Sequence, residues 1–358
     1  MRLPWFSLFM LTACGATTTT SDGGALPLTP GAAGTGHLGY IVETPSGREL
    51  EVVNLGTAKV EYRSREADGE VVMFFLSADG STAVFRSAQK PCVKVALSSG
   101  VASDCTPAGL ELPFVTGVSA DGARLSFTGS RPVTYAATRA VLEAGTVTLL
   151  DDPGADGNTQ VSGGGGLSPD GEFLYEFRFV SAGLNPPLTL VKYPRSGGAP
   201  TVVFDATADV HASNIADLEL QQSEGGTRGL FSCFDPTQAR PAEGLSTCAV
   251  DLVSGAVTLL PNAVGALALD GSKLVTVPPF STGYRVYDFG GTTPVATVTR
   301  SGGSVALSPD GTRFAYRMDE DDAFFVAATV PVAGGVPVRV QRDDFGSRAT
   351  PEFLRWVR

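Results

Sequence analysis

The chain has 358 residues, of which 43 are glycine and 24 are proline, and 43% of them are hydrophobic. This hydrophobic content is enough to build a core, so the composition excludes a wholly disordered chain. The net charge is −11 and the sequence has no run of lysine or arginine, which argues against binding to nucleic acid, because a phosphate backbone is bound by clustered cations. Many glycines together with valine, threonine and phenylalanine are typical of short strands joined by tight turns.

The first residues are typical of an export signal. Arg2 precedes a short apolar stretch, Leu3 to Leu11, which is too short to span a bilayer. The sequence Leu11-Thr12-Ala13-Cys14 then resembles the lipobox of bacterial lipoproteins. The resemblance implies a signal peptide over residues 1–13 and a mature chain that begins at Cys14, which carries the lipid. An ordinary secretory signal is the alternative. Because Gly15 rather than aspartate follows Cys14, we expect an outer-membrane lipoprotein in the cell envelope.

The segment after Cys14 differs in composition from the rest of the chain. Residues 14–36 are rich in glycine, threonine and proline and almost lack large apolar side chains. Such a segment cannot bury enough surface to order itself. We therefore predict a flexible tether over residues 14–36 and one folded domain over residues 37–358, with the lipid as its link to the membrane.

Four cysteines remain after Cys14, and they form two local pairs. Cys92 and Cys105 are 13 positions apart, and Cys233 and Cys248 are 15 positions apart. Three pairings are possible in an oxidising compartment, and the short loops favour the bonds 92–105 and 233–248. Each bond would stabilise the fold by about 3 kcal/mol in the chain-entropy description. A metal site is the alternative, but Cys-x-x-Cys spacing and neighbouring histidines are missing.

A short motif recurs along the domain. Four copies read Ser-x-Asp-Gly, a fifth keeps only Asp-Gly, and two further segments, Ser223-Glu224-Gly225 and Thr350-Pro351-Glu352, are weaker copies. The Asp-Gly pairs are Asp79-Gly80, Asp121-Gly122, Asp170-Gly171, Asp270-Gly271 and Asp310-Gly311. A repeat of 40–54 residues is typical of propellers and other arrays. Glycine allows the positive φ of a tight turn and aspartate caps nearby backbone N–H groups, so we predict a structural role for these residues.

Each motif stands between an apolar run and an alternating strand. The run Val72 to Leu76 precedes the first copy, and Phe173 to Phe177 follows the third. Three or four short strands in about 45 residues make one blade of a propeller. Ser-Pro-Asp-Gly, followed by a strand of aliphatic and aromatic residues, also resembles the WD40-like PD40 repeat of TolB-type periplasmic propellers. This resemblance covers most of residues 38–358 and implies a periplasmic-type β-propeller.

The spacing predicts about seven four-stranded blades, with six or eight as alternatives. Residues 353–357 supply one strand of the last blade, and the N-terminal segments 39–43 and 49–53 supply strands that complete it. Pairing the two ends covers sheet edges that would otherwise stay open. The predicted fold is therefore an all-β propeller that is closed by its N- and C-terminal strands.

The sequence shows no convincing catalytic constellation. Only two histidines are present, His37 and His211, and there is no Gly-x-Ser-x-Gly elbow. The acidic segment 151–158 could offer oxygen ligands to Ca²⁺ but lacks the alternating pattern of a calcium loop, and 319–322 is typical of a solvated hairpin tip. We predict no catalytic residue, no metal and no cofactor.

These observations favour a non-enzymatic scaffold that presents its loops to a protein or peptide partner and does not bind nucleic acid. A lactonase-like propeller hydrolase is one alternative. Binding of a small ligand or glycan at the central channel is another.

Overall fold

The structure is a computed structural model that describes residues 29–45, 47–132, 137–150, 159–161, 165–180, 188–205, 211–212, 219–234, 245–261, 263–277, 283–298, 304–318, 323–328, 337–340 and 348–358. Its strands form seven antiparallel sheets, each with four strand positions, which are the blades of a β-propeller. The predicted fold and the count of seven blades are confirmed. In this described part the helical structure is one 3-10 turn, η1 (Glu66–Asp68), and no helix there has the length and hydrophobicity to cross a membrane.

The blades follow one another along the chain, and the first blade also takes the last strand. Blade 1 contains β1 (His37–Thr44), β2 (Gly47–Asn54), β3 (Lys59–Arg63) and β30 (Arg348–Val357). Blade 2 contains β4 (Val71–Leu76), β5 (Thr82–Ser87), β6 (Val93–Ala96) and β7 (Val101–Asp104). Blade 3 contains β8 (Glu111–Val118), β9 (Arg124–Ser130), β10 (Ala137–Glu143) and β11 (Thr146–Leu150).

In blades 4 and 5 two short strands share the innermost position. Blade 4 contains β12 (Thr159–Val161), β13 (Gly166–Leu167), β14 (Phe173–Val180), β15 (Thr189–Pro194) and β16 (Thr201–Phe204). Blade 5 contains β17 (His211–Ala212), β18 (Gln221–Gln222), β19 (Arg228–Phe234), β20 (Leu245–Asp251) and β21 (Val257–Leu260). Blade 6 contains β22 (Val264–Leu267), β23 (Lys273–Val277), β24 (Tyr284–Asp288) and β25 (Ala296–Val298). Blade 7 contains β26 (Val305–Leu307), β27 (Arg313–Met318), β28 (Ala323–Ala328) and β29 (Val338–Arg339).

The hydrophobic core lies between the blades. Each buried cluster in the described residues combines side chains from two neighbouring blades: Ile41 and Leu50 of blade 1, for example, pack with Phe74 and Phe85 of blade 2. Alternation along each strand produces this arrangement, because the two faces of a blade contact the blade before it and the blade after it. A blade therefore has no core that belongs to it alone.

The ring closes through β30, as the sequence predicts. β30 pairs with β1 in antiparallel register, with His37 opposite Val357 and Tyr40 opposite Leu354. Leu354 and Trp356 are buried at the seam between blades 7 and 1. The weak motif copy Thr350-Pro351-Glu352 lies within β30 and is not a turn. The turn of this motif follows the innermost strand, and in blade 1 that strand ends only at residue 357.

The place of the missing seventh turn is filled by residues 29–36. Arg313 donates from Nη1 to the carbonyl of Ala32 (2.9 Å), just as Arg124 donates to the carbonyl of Asp170 in the turn of the next blade (2.6 Å). The indole N–H of Trp356 donates to the carbonyl of Thr35 (2.9 Å), and Ala33 is fully buried. Residues 29–36 were assigned to the flexible tether by their composition, but these contacts pack them against the propeller.

The motif builds the same hydrogen-bonded turn in its four Ser-x-Asp-Gly copies. In blade 3, the hydroxyl of Ser119 donates to the carboxylate of Asp121 (2.6 Å) and accepts the N–H of Arg124 (2.9 Å). The carboxylate also accepts the N–H of Ala123 (3.0 Å). These bonds hold the pKa of Asp121 below its usual range, the one from Ser119 contributing most. The aspartate caps the turn as predicted, and the serine completes its hydrogen bonding.

The glycine of the motif adopts a left-handed conformation in each copy. The φ angles are +69° at Gly80, +68° at Gly122, +70° at Gly171, +73° at Gly271 and +65° at Gly311. In blade 5 the turn glycine is Gly226 (φ +64°), whose N–H donates to the carbonyl of Ser223 (2.9 Å). The motif there is thus Ser223-Glu224-Gly225-Gly226, with Gly225 at the aspartate position. It is one residue longer than the copy Ser223-Glu224-Gly225 that the sequence predicts.

The motif glycines also allow neighbouring blades to approach each other closely. Substitutions at Gly122 and Gly145 can separate this packing effect from the strain of a left-handed backbone. A Cβ at Gly122 would lie 2.6 Å from the Cβ of Thr82 in blade 2, whereas a Cβ at Gly145 (φ +81°) would meet nothing within 4 Å.

Gly145→Ala should therefore cost only the left-handed strain, about 1–2 kcal/mol. Gly122→Ala should add overpacking of about 1–3 kcal/mol. Urea unfolding of both variants tests this, and equal losses of stability would show that the inter-blade contact is not tight.

A second prediction concerns the closing strand. Deletion of residues 348–358 exposes the edge of β1 and removes Leu354 and Trp356, whose burial contributes about 1.5–3 kcal/mol each. This loss is large against a typical stability of about 5–15 kcal/mol, so the truncated protein should unfold or aggregate. Deletion of residues 16–28 is the control and should leave the melting temperature unchanged. A truncated chain that remains monomeric with the wild-type melting temperature would contradict closure through β30.

Candidate functional site

The motif turns meet around the propeller axis and form the rim of a central channel. The backbone N–H of Ala120 donates to the carbonyl of Pro169 in the next blade (2.8 Å), and that of Asp79 donates to the carbonyl of Ala120 (3.0 Å). Similar bonds join Glu224 to Leu269 (2.6 Å) and Arg358 to Ala78 (3.1 Å). The second residue of each motif is thus held at the rim, which we call the motif mouth of the channel.

A cavity of about 150 Å³ lies along the axis below this mouth. It is lined by the innermost strands and motif turns of blades 1–6. Apolar side chains and glycines form most of its wall, including Phe75, Gly117, Leu167, Leu267 and Trp356. Among the described lining residues, the charged side chains are Glu219, Glu224 and Arg355. The cavity therefore combines an apolar wall with a few charged groups.

Two ion pairs cross the channel from blade 1 to blade 5. Arg355, on β30, donates from Nη2 to the carboxylate of Glu219. Arg358, just beyond the same strand, contacts the carboxylate of Glu224 at 2.5 Å. Blades 6 and 7 separate the two partners on one side of the ring and blades 2, 3 and 4 on the other, so both pairs span the open axis. The first pair lies in the cavity and the second at the motif mouth.

Blade 5 holds its two glutamates on a short, irregular stretch. Glu219 forms an isolated parallel bridge with Gly165 of blade 4. The amides that follow fasten the stretch to its neighbours: Gln222 donates to the carbonyl of Leu167 (3.0 Å), and Gln221 accepts the N–H of Leu267 (3.1 Å). Blade 5 is thus tied to blades 4 and 6 at the channel wall, while the carboxylates point across to the arginines.

The cysteine pairs have the predicted connectivity. Cys92 is bonded to Cys105 with a Cα–Cα distance of 5.0 Å, which clamps the hairpin of β6 and β7. Cys233 is bonded to Cys248 with a Cα–Cα distance of 5.8 Å, across β19 and β20. All four cysteines are buried, so the two disulfides stabilise single blades away from the channel.

The remaining sequence candidates are His37, His211, Cys14 and the acidic segments 151–158 and 319–322. Cys14 and the two segments lie outside the described residues. His37 lies at the blade 1 seam, with Nε2 at 3.0 Å from the carboxylate of Glu61, and His211 is in β17. No cluster of three metal-ligating side chains occurs in the part of the chain that the structure describes.

One buried ionic cluster lies between blades 3 and 4. Arg139 of β10 contacts Glu176 of β14 at 2.5 Å, and the Tyr193 hydroxyl donates to the same carboxylate at 2.8 Å. The Arg139 guanidinium also lies over the Tyr193 ring, 4.7 Å from its centroid. Burial raises the pKa of Glu176, and Arg139 opposes this effect. The cluster links blades 3 and 4 and has a structural role, since truncation of one partner would leave a buried charge.

Comparisons with known proteins agree with the fold. No protein-family model matches the sequence, and the search of curated proteins gave no match. Among solved structures, oligogalacturonate lyase from Vibrio parahaemolyticus is 9% identical with a TM-score of 0.57, over 82% of this chain and 86% of that chain. Hydrazine synthase from Kuenenia stuttgartiensis is 15% identical with a TM-score of 0.51, over 78% of this chain and 89% of that chain.

TolB from Acinetobacter baumannii is also similar. It is 16% identical with a TM-score of 0.49, and the alignment covers 72% of this chain and 62% of the TolB chain. The chain therefore spans less than two thirds of the length of TolB. At these identities the likeness concerns the fold, and the chain is similar to known propeller structures in its architecture.

Proposed function

We propose that this protein is a lipid-anchored propeller of the cell envelope that binds a protein partner at the motif mouth of its central channel. The observation that carries the proposal is the cavity of about 150 Å³ that opens among the motif turns. Pockets for drug-sized ligands usually enclose about 300–1,000 Å³. A cavity of this size fits one inserted side chain or chain end of a partner better than a whole small-molecule ligand.

The rim supports the same interpretation. The second motif residues Ala78, Ala120, Pro169 and Leu269 are small or apolar and line the cavity. They are held by inter-blade backbone bonds, so the rim is rigid before a partner arrives. A preorganised surface loses little conformational entropy on binding. An apolar rim around a charged centre is suited to a partner segment that inserts one polar residue.

The lipobox and the disulfides support the envelope location. Disulfides persist in oxidising compartments outside the cytosol, and two are present in this domain. Cys14 follows the apolar segment at the position where bacterial lipoproteins are modified. We place the propeller outside the cytoplasm, tethered to the outer membrane by its lipid.

A propeller fold does not by itself select between binding and catalysis. The similar structures carry the names of a lyase and a synthase as well as TolB. A lactonase-like hydrolase would need polar and metal-binding groups that converge on the channel. In the described cavity lining, the charged groups are engaged in Arg–Glu pairs, and this favours recognition over catalysis.

The anchor gives the first test. Cys14→Ser removes the thiol that would receive the lipid, so the variant should stay as an unprocessed precursor or leave the membrane fraction. Fractionation followed by immunoblotting measures this. Cys92→Ser, which removes a disulfide cysteine, is the matched control and should remain membrane-bound. Unchanged processing and membrane attachment of Cys14→Ser would contradict the anchor.

The binding surface gives the second test. A photo-crosslinking residue at Ala120 or Leu269 lies at the motif mouth, whereas the same residue at Val253 lies on an exposed outer turn (79% exposed). In intact cells, both mouth positions should yield one adduct of the same mass, and mass spectrometry should identify the same partner peptide in both. The Val253 position should not yield it. Equal capture at all three positions, or capture only at Val253, would place the interface elsewhere.

A further inference from the structure

The two ion pairs that cross the channel are not needed to close the ring. Closure is provided by the pairing of β30 with β1 and by the buried seam that contains Leu354 and Trp356. Arg355 lies between these two residues on the other face of the strand, and it lines the cavity together with Trp356 and Val357. Its contact with Glu219 therefore fills the channel without being part of the packed seam.

We propose that Arg355 and Arg358 form a binding site for carboxylates, in which Glu219 and Glu224 occupy the arginines until an acidic segment of the partner replaces them. The inference rests on the proposed function, because it names the chemistry of the segment that enters the motif mouth. Arg355 is on β30 and Arg358 lies just beyond its end. Three residues of extended chain span at most about 10 Å, so the partner segment needs two acidic side chains within about that distance.

The backbone segments that carry the two sides of each ion pair indicate whether the arginine or the glutamate would be displaced. Arg355 is on a ten-residue strand, and its Nη1 also donates to the carbonyl of Leu354 (3.1 Å). Glu219 precedes the two-residue strand β18, and Glu224 lies in a turn. Arg355 is thus held in a regular sheet, whereas Glu219 and Glu224 stand on an irregular segment with side chains that are 29% and 36% exposed. Arg358 lies beyond the strand and its side chain is 60% exposed, but its backbone N–H is bonded to the carbonyl of Ala78 (3.1 Å).

The chemistry of arginine also indicates that the arginines bind the incoming carboxylates and that the glutamates are displaced. A guanidinium offers five N–H donors in a planar fork that matches a carboxylate with two parallel hydrogen bonds. A half-buried site strengthens such bonds relative to water, and Arg355 and Glu219 are 23% and 29% exposed. An incoming carboxylate would give the arginine a new partner, so the guanidinium does not stay unpaired. The displaced Glu219 carboxylate is 29% exposed and would be solvated by water.

The test uses the full-length protein in detergent and a fluorescent tetrapeptide, acetyl-Glu-Gly-Gly-Glu with a neutral dye at its C-terminal amide. Its dissociation constant is measured by fluorescence anisotropy. The control peptides replace both glutamates by glutamine or by lysine. We expect saturable binding of the glutamate peptide and binding at least about tenfold weaker for the glutamine peptide, the loss that corresponds to one charged hydrogen bond. Preference for the lysine peptide, or no binding of the glutamate peptide, would overturn the proposal.

Variants at the two sides of the channel give effects of opposite sign. Arg355→Gln should weaken binding of the glutamate peptide about tenfold, whereas Glu219→Gln removes the internal competitor and should tighten it severalfold. Arg195→Gln, which removes an arginine that pairs with Glu143 away from the axis, is the matched control and should leave the affinity unchanged. Weaker binding by Glu219→Gln would mean that the channel selects cations and would overturn the proposal.

The outcomes separate this inference from the proposed function. Specific crosslinking at Ala120 and Leu269 without binding of the glutamate peptide would leave a partner at the motif mouth but refute the carboxylate site. Binding of the peptide with the expected signs, without specific crosslinking at the mouth, would support the carboxylate site and count against a protein partner. Because Glu219→Gln keeps both arginines and the whole closing strand, its effect stays interpretable even if Arg355→Gln unfolds.

Discussion

The structure depends on the packing of each blade against its two neighbours. Every buried cluster in the described residues is shared by two blades, as in the seam where Tyr284 of blade 6 packs on Phe314 and Tyr316 of blade 7. A four-stranded sheet with two apolar faces is stable only if both faces are covered. The ring must therefore close, and the pairing of β30 with β1 provides the last interface and removes two open sheet edges.

Closure and the channel share one strand. The side chains of Leu354 and Trp356 complete the seam between blades 7 and 1, while Arg355, between them, reaches the axis. Because successive side chains of a strand point to opposite faces, one segment can stabilise the ring on one face and supply a charged group on the other. Changes at Arg355 can thus alter the channel with little effect on the seam, whereas changes at Trp356 affect both.

How much the sequence could predict follows from the range of each interaction. The motif turn is local: Ser119, Asp121 and Arg124 bond within six residues, so its type and its repeat could be predicted, as could the two disulfides. The channel pair joins residues 136 positions apart, and no local pattern marks Glu219 as its partner. The order of residues 29–36 was missed for a related reason, because a glycine-rich segment is held there by Arg313 and Trp356 from the far end of the chain.

The motif varies most at its second position, and the hydrogen bonds of the turn explain why. Serine, aspartate and glycine at the first, third and fourth positions make the side-chain bonds and the left-handed backbone of the turn. The second position contributes its backbone to the hydrogen bonds between neighbouring motif turns, so the turn itself does not restrict its side chain. Alanine, proline, glutamate and leucine all occur there. The turn thus fixes the geometry of the motif mouth, while the second residue sets its chemistry. A propeller built in this way can change the side chains at its motif mouth, blade by blade, without a loss of the turns that hold its ring together.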